Sequence, residues 1–541
     1  MLSLEGRLAS TERENRALQT ELHDIKRSFG KQGRETSPTR YAATKAPPAQ
    51  VSPAQVRQAI AAQSPSLPVI PPGYALVPAA PGATPGTVVL DRAELPQHPL
   101  PPGTFKLGGV TVTLGGFIEA VGIYRSRNEM ADVGSSFNTG MPLPNSPLYH
   151  ENEFRGSARQ SRLSLLVQAD PNPVSHLAAY YETDFLGAAP TANSVESNSY
   201  NLRLRQAYAQ YDRKDWGFHF LGGQAWSLLT MNKAGIIPRQ EDIPLTIDAQ
   251  YAVGFTWARQ WQVRVAKDFD DQKYWIGLSL ENPQTNYYTG PNGAIPTSVG
   301  TANTSNPGGS LFASTTNCSD EIAPDVILKV TADPGFGHYE AYGLMRFLHD
   351  RVSLPGTGHN NTTLAGGGGA GMILPVVPHL VDFQASFLGG AGIGRYGSAQ
   401  LPDAVLGADG SPKPLPEIEA MVGLVAHPTP KLTLYGYGGT EQIGARYFAS
   451  GGKGYGYGSP LYSNTSCDTE LGSASACVAN TSGVVQGTAG FWWNFLHGWY
   501  GTTSLGMQYS YTHRQTFGGQ GSTPSTDENM VFVSFRYYPF Q

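Results

Sequence analysis

Arginine is the residue type whose spacing in this sequence points most directly to chemistry. Arg162 in the run Gln160 to Gln168, Arg203 and Arg205 in Asn201 to Tyr211, and Arg264 in Trp261 to Val265 all fall on the polar side of an alternating pattern. In extended chain, residues two apart share a face, so Arg203 and Arg205 project together. Like charges on neighbouring strands repel unless anions or carboxylates screen them, and a guanidinium binds a carboxylate through two parallel hydrogen bonds. Such a face invites an anionic solute. Arg346 and Lys329 are further candidates of the same kind, and Arg239, Glu241 and Asp242 form a charged group within Pro238 to Pro244, where the prolines restrict the backbone. The plainer alternative is that these arginines are neutralised by carboxylates such as Glu119, Glu182 and Asp184 and only keep the face wet.

Other reactive types carry less. Cys467 and Cys477 sit in one long loop, where an exported, oxidising setting allows a disulfide and two free thiols are the alternative; Cys318 is left over in another loop. The histidines, among them His176, His338, His379, His427, His497 and His513, have no metal-like spacing, so no metal is expected. Ser510 and His513 are close in sequence, but an odd offset puts them on opposite faces of a strand, against a membrane-embedded hydrolase. The glycine run Gly390 to Gly394 leads into no helix and is not a phosphate cradle. No cofactor and no catalytic residue are expected.

The elements that must hold the arginines are strands. Leu163, Leu165 and Val167 alternate with Arg162, Ser164 and Gln168, and Leu202 and Leu204 with Arg203 and Arg205. The same alternation recurs in Trp261 to Val265, Ile276 to Glu281, Val326 to Thr331 and Val381 to Phe387. From Gly103 onward such segments are joined alternately by tight turns and by long Gly/Asn/Ser/Thr loops. The short turns lie at 170–173, 212–215, 269–273, 333–335, 375–378, 427–430 and 496–498. The long loops lie at 126–156, 187–199, 228–256, 283–323, 349–362, 397–415, 442–482 and 517–527. Seven turns and eight loops predict a transmembrane antiparallel β-barrel of about sixteen strands over 104–541. A barrel that wide cannot be filled by its wall side chains, so the polar face is expected to line water and the apolar face to meet lipid.

Composition agrees. Only 15% of residues are charged, against 64 glycines and 27 tyrosines, where soluble domains carry about 25% charge. A net charge of −5 gives no basic field for nucleic acid. No apolar run reaches the length of a membrane helix. Residues 4–29 place Leu4, Leu8, Leu18, Leu22, Ile25 and Phe29 on a heptad seam, with Asn15 at a core position, so 1–30 is expected to be a coiled-coil helix. Residues 31–103 are rich in Pro and Ala and are expected to be a disordered linker. An export signal is not visible in 1–30, so a mature form or an upstream start is expected. The terminal strand Met530 to Phe540 ends in aromatics, as interfacial girdles do.

Over roughly 104–541 the sequence resembles the DcaP-like trimeric porins. The likeness is carried by Gln160 to Gln168 (QSRLSLLVQ), Asn201 to Tyr211 (NLRLRQAYAQY), Gly222 to Leu228 (GGQAWSL), Ile276 to Pro283 (IGLSLENP) and Tyr509 to Phe517 (YSYTHRQTF). The family also has a coiled-coil segment before the barrel. The resemblance implies a homotrimer in the outer membrane, among its lipids, each barrel a separate pore with its third loop folded inward and the N-terminal segment on the periplasmic side. Under that reading the protein is a passive diffusion channel for small polar solutes. Arginines on the wall would stand opposite Glu241 and Asp242 on the third loop, and the transverse field would favour carboxylate-bearing solutes. A barrel-anchored trimeric adhesin or envelope tether is the rival from another class.

Overall fold

The computed structural model describes residues 100–188, 200–307 and 317–541, together with the backbone of two short strands, Tyr74–Leu76 and Leu90–Arg92. Those two strands pair antiparallel, Tyr74 opposite Arg92, within the stretch expected to be linker. They belong to a unit, Met1–Gln97, separate from the unit His98–Gln541. The expected coiled coil at 1–30 lies outside the described residues.

Among the described residues of the second unit, sixteen spanning strands close into one antiparallel barrel. They are β1 (Val110–Arg125), β2 (in two pieces, Glu153–Ser157 and Arg162–Asn172), β3 (Ser175–Asp184), β4 (Arg203–Arg213), β5 (Phe218–Trp226), β6 (Arg259–Phe269), β7 (Tyr274–Glu281) and β8 (Asp325–Ala332). The second half is β9 (His338–Leu354), β10 (Thr357–Val377), β11 (Val381–Ala391), β12 (Pro416–Thr429), β13 (Leu432–Ile443), β14 (Thr481–Gly498), β15 (Gly501–Thr516) and β16 (Ser525–Tyr538). β16 closes on β1, from Met530 opposite Arg125 to Tyr537 opposite Ile118, so no sheet edge is left to satisfy.

Burial along the strands is inverted relative to a water-soluble protein. On β7, Ile276, Leu278 and Leu280 are each about 40% exposed, while Ser279 and Glu281 between them are fully buried. An apolar outer face and a polar inner face lower the free energy only in hydrocarbon. Exposed aromatics, Trp216, Phe269, Tyr274, Phe336, Trp499 and Tyr537 among them, gather toward the short-turn end, where rings with one polar edge sit at a membrane interface. Leu278→Arg is expected to destabilise the barrel by about 2–4 kcal/mol, read as a lower guanidinium midpoint for refolding into lipid vesicles.

Two local features depart from the expected strands. β2 breaks at 158–161, where the Phe185 amide donates to the Arg159 carbonyl at 3.0 Å. Gly116 of β1, paired with Leu163 just past this break, has φ +121° and the Arg162 carbonyl 2.1 Å from where a Cβ would stand, so only glycine fits. Residues 349–362, expected to be a loop, instead continue β9 and β10 to a two-residue turn, Leu354 opposite Thr357. Its polar residues are cross-strand partners: Arg351 with Asn360 and Asp350 with Asn361, both at 2.8 Å, and His349 with Thr362 at 2.9 Å.

The interior is not a simple water-filled tube, which corrects the expectation that the inner face lines water throughout. Loop 1 (126–152), loop 3 (227–258) and loop 6 (392–415) turn inward and bury Val133, Phe137, Ile247, Val253, Leu401 and Leu415 against Ile123, Val484, Met530 and Phe532 of the wall. A second cluster joins Leu228, Leu229 and Ile236 of loop 3 to Trp275, Ile327 and Leu344. The wall residues concerned lie in stretches such as Val121 to Tyr124 and Met530 to Val533, where both faces are apolar or small, so the loops find greasy ground inside. Outside, Cys467 and Cys477 form a disulfide, buried against Leu143 of loop 1, while Cys318 is free and exposed.

Candidate functional site

The arginines of β2, β4 and β6 converge beneath the long-loop end. β4 carries a bulge: Glu182 pairs with Gln206 and Thr183 with Leu204, leaving Arg205 as the extra residue. A bulge re-aims side chains, and here it turns both Arg205 and Gln206 inward. Arg205 donates to Glu182 Oε1 at 2.6 Å, to Asp184 Oδ2 at 3.0 Å and to the Tyr251 hydroxyl at 3.2 Å. Arg203 forks onto Asp184 at 3.0 and 2.7 Å. Arg162 stands 3.7 Å from Glu182.

Arg259, the first residue of β6, completes the cluster. Its guanidinium lies 4.6 Å from the centre of the Trp226 ring, and Nη1 is buried without a hydrogen-bond partner. Among the described residues, the carboxylates that Arg162, Arg203, Arg205 and Arg259 meet are Glu182 and Asp184, which leaves a positive surplus in low dielectric. Tyr251 of loop 3 registers that field. Burial would raise its phenol, but Arg205, Arg259 and Arg162 outweigh burial and bring it down to about 8.

The cluster opens on a cavity of about 530 Å³ lined by Arg203, Arg259 and Arg395, by the amides of Gln260, Gln284 and Asn286, and by Ser136, Asn138 and Thr139 of loop 1. Arg395 projects from loop 6, donates to the Gln284 carbonyl at 2.9 Å and bonds the Gln260 side chain. No carboxylate among the described residues lines this space. It offers three guanidiniums with neutral donors and acceptors around them.

The remaining sequence candidates lie elsewhere. Arg264 is buried under loop 3, donating to the Trp226 carbonyl at 2.6 Å. Arg239 ties loop 3 to the wall through the Tyr208 hydroxyl at 2.9 Å and Gln210 at 3.3 Å. Burial pushes the Glu241 carboxyl up, with Arg264 and Arg239 opposing it. Asp242 accepts from Gln384 at 3.1 Å, and burial pushes it up to about 6. Asp242 faces a second cavity of about 420 Å³ toward the short turns, shared with Lys233, Asp333, His338, Asp382 and His427.

Asp242 is therefore turned away from the cavity of Arg203, Arg259 and Arg395, while Glu241 lies near Arg264 and Arg239. The Asp242 amide donates to the Met231 carbonyl at 2.7 Å, folding this part of loop 3 back on itself and turning Asp242 to the opposite side. The acids of the far wall are Glu417, Glu419 and Glu441, covered by loops 3 and 6; Glu441 accepts from the Gly254 and Ala399 amides at 2.8 and 3.0 Å. Arg346 pins loops 4 (282–324) and 6, donating to Asp325 at 3.2 Å, Asp403 at 2.8 Å and the Gln284 carbonyl at 2.6 Å. Lys329 pins loop 3 through Glu340 and the Thr230 carbonyl at 3.0 and 2.8 Å. Glu119 is taken by Arg536 at 2.8 Å.

Arg259 and Arg395 were not legible as site residues. Counting by twos assigns Arg259 to the outer face with Trp261, but as a terminal strand residue it swings over the rim onto Trp226, its cross-strand partner. Arg395 lies in a loop, where alternation says nothing.

Neither family models nor curated proteins match the sequence. Among solved structures, the outer membrane channel DcaP of Acinetobacter baumannii is similar, with a TM-score of 0.56 and 19% identity over 81% of this chain and 99% of that one. OmpT, an outer membrane protein of Vibrio cholerae, matches at a TM-score of 0.41 with 10% identity over 80% of this chain and 99% of its own. OprB of Pseudomonas putida matches at 0.41 with 10% identity over 79% and 94%. The DcaP likeness shows the fold: the chain has the barrel architecture of an outer-membrane channel.

Proposed function

We propose that this chain is an outer-membrane channel for passive diffusion of small polar solutes, with a preference for those bearing a carboxylate or another anionic group. The observation that carries the reading is the positive surplus around Arg259, which lines a cavity that has no acidic lining among the described residues. Fixed guanidiniums between low-dielectric walls concentrate anions at the mouth, and their forked donors suit carboxylates. A hydrolase is not favoured, because the Ser510 hydroxyl is fully buried and occupied by Thr488 and Gln508. We read the assembly as a homotrimer, with the N-terminal segment periplasmic and the linker spanning between it and the barrel.

The test is the reversal potential of single channels in planar bilayers under a salt gradient. Anions are expected to permeate faster than cations, and the preference should shrink as salt screens the vestibule. A cation preference, or trimers that never conduct, would overturn the proposal.

A further inference from the structure

Loop 1 enters the barrel mouth beside a cluster whose charges do not balance. Arg125, at the top of β1, is fully buried. Four carboxyls surround it: Glu153 of β2 at 2.6 Å, Glu129 of loop 1 at 3.5 Å, Asp248 of loop 3 and Glu528 of β16. All four are buried. Arg155 also reaches Glu153, at 3.5 Å, but two guanidiniums cannot offset four carboxylates out of water.

Glu129 and Glu528 hydrogen-bond one another, a contact two carboxyls make only when one of them carries a proton. Glu129 Oε1 and both Glu528 oxygens find no other donor. The described carboxyls do not converge as metal ligands would.

We propose that a proton shared between Glu129 of loop 1 and Glu528 of β16 latches loop 1 inside the barrel mouth, and that its loss at higher pH releases the loop. The latch joins a loop to the wall at one point and reaches further through the chain. Glu129 Oε2 accepts the Ser136 amide at 3.1 Å, Asp248 accepts the Ser135 amide at 3.1 Å, and the Val133 carbonyl accepts the Ala249 amide at 2.9 Å. Loops 1 and 3 are thereby held together, so freeing the first loosens the second. Of the remaining charges nearby, Asp132 is taken by Arg159 at 3.1 Å and Arg127 reaches Asp527 at 4.0 Å, leaving neither to stand in for the proton.

Burial holds the Glu129 carboxyl above the ordinary glutamate range, although Arg125 opposes this. An acid raised in the closed state binds its proton more tightly there than when exposed. Closure is thus fully favoured below the ordinary glutamate range, persists when the first of the pair's two protons leaves, and is lost only as pH rises far enough to remove the second, shared one.

Hydrogen exchange on the full chain in detergent, followed by mass spectrometry and corrected for base catalysis, tests this without relying on conduction. Between about pH 5.5 and about pH 10.5, a span that removes both protons of the pair, protection of peptides over 126–140 is expected to fall at least about tenfold relative to the strands. Glu528→Gln, whose amide donates to Glu129 without titrating, should keep that protection at both values. Glu129→Gln should do the same by donating the other way. Equal wild-type protection at both values, or glutamine variants that lose it as the wild type does, would overturn the latch. Either result leaves the channel reading intact.

Discussion

Channels with both Arg203→Gln and Arg259→Gln are expected to lose their anion preference, the anion-to-cation permeability ratio falling by at least about tenfold. A unit charge about 8 Å from a permeating ion contributes about 2 kcal/mol at an effective dielectric of about 20, and two such charges vanish together. The barrel should survive. Arg259 forms no ion pair among the described residues, and Asp184 keeps Arg205 at 3.0 Å when Arg203 is gone. Arg205→Gln is the contrasting case, because it strips Glu182 of its 2.6 Å partner and takes one from Asp184, both buried. Breaking such a network costs about 3–5 kcal/mol, so its loss of selectivity would be confounded with loss of structure. Reversal potentials at low salt decide the matter: an unchanged ratio in the double variant would mean that ions do not pass this cavity.

The second large effect belongs to Arg346. Arg346→Met leaves Asp325 and Asp403 buried without the cation that bridges them, at a cost of about 3–5 kcal/mol. Asp325 retains the Tyr396 hydroxyl at 2.7 Å and Arg395 at 3.6 Å, but Asp403 has no second ion pair among the described residues, so loop 6 should yield first. A lower guanidinium midpoint together with new tryptic cleavage after Arg395, in the same loop, is the expected signature. Adding Asp403→Asn should recover most of the loss, since it removes the stranded charge; cleavage unchanged from wild type in the single variant would show that loop 6 is held by its apolar contacts alone.

The wall was legible because lipid and lumen impose a period of two that survives in one sequence. Ile276 to Glu281 and Val326 to Thr331 declare their faces without any knowledge of their neighbours. The turns followed, since Asp333-Pro334-Gly335 interrupts that period abruptly; the one expected at Leu496-His497-Gly498 falls just beyond it, at Trp499 and Tyr500, because those three residues still pair with β15. Residues 349–362 misled because Pro355 and Gly356 look like loop punctuation, yet two residues are all a hairpin turn needs. The site was read less well than the wall. Arg203 and Arg205 were found by alternation, but their neighbour Arg259 breaks it, and the placement of Glu241 and Asp242 depends on how loop 3 hydrogen-bonds to itself. Lys329, Arg346 and Glu119 share the inward face with the cluster arginines; only the loops that fold onto them distinguish an anchor from a selector.

The hydrocarbon packing between the inward loops and the wall separates two properties that a plain cylinder would bind together. Stave number sets the circumference, but the clear bore is whatever three ribbons of chain leave free. Exchanging those ribbons for others would re-grade the sieve while the hoop that carries it, and the machinery that must thread it into lipid, meet the same surface as before.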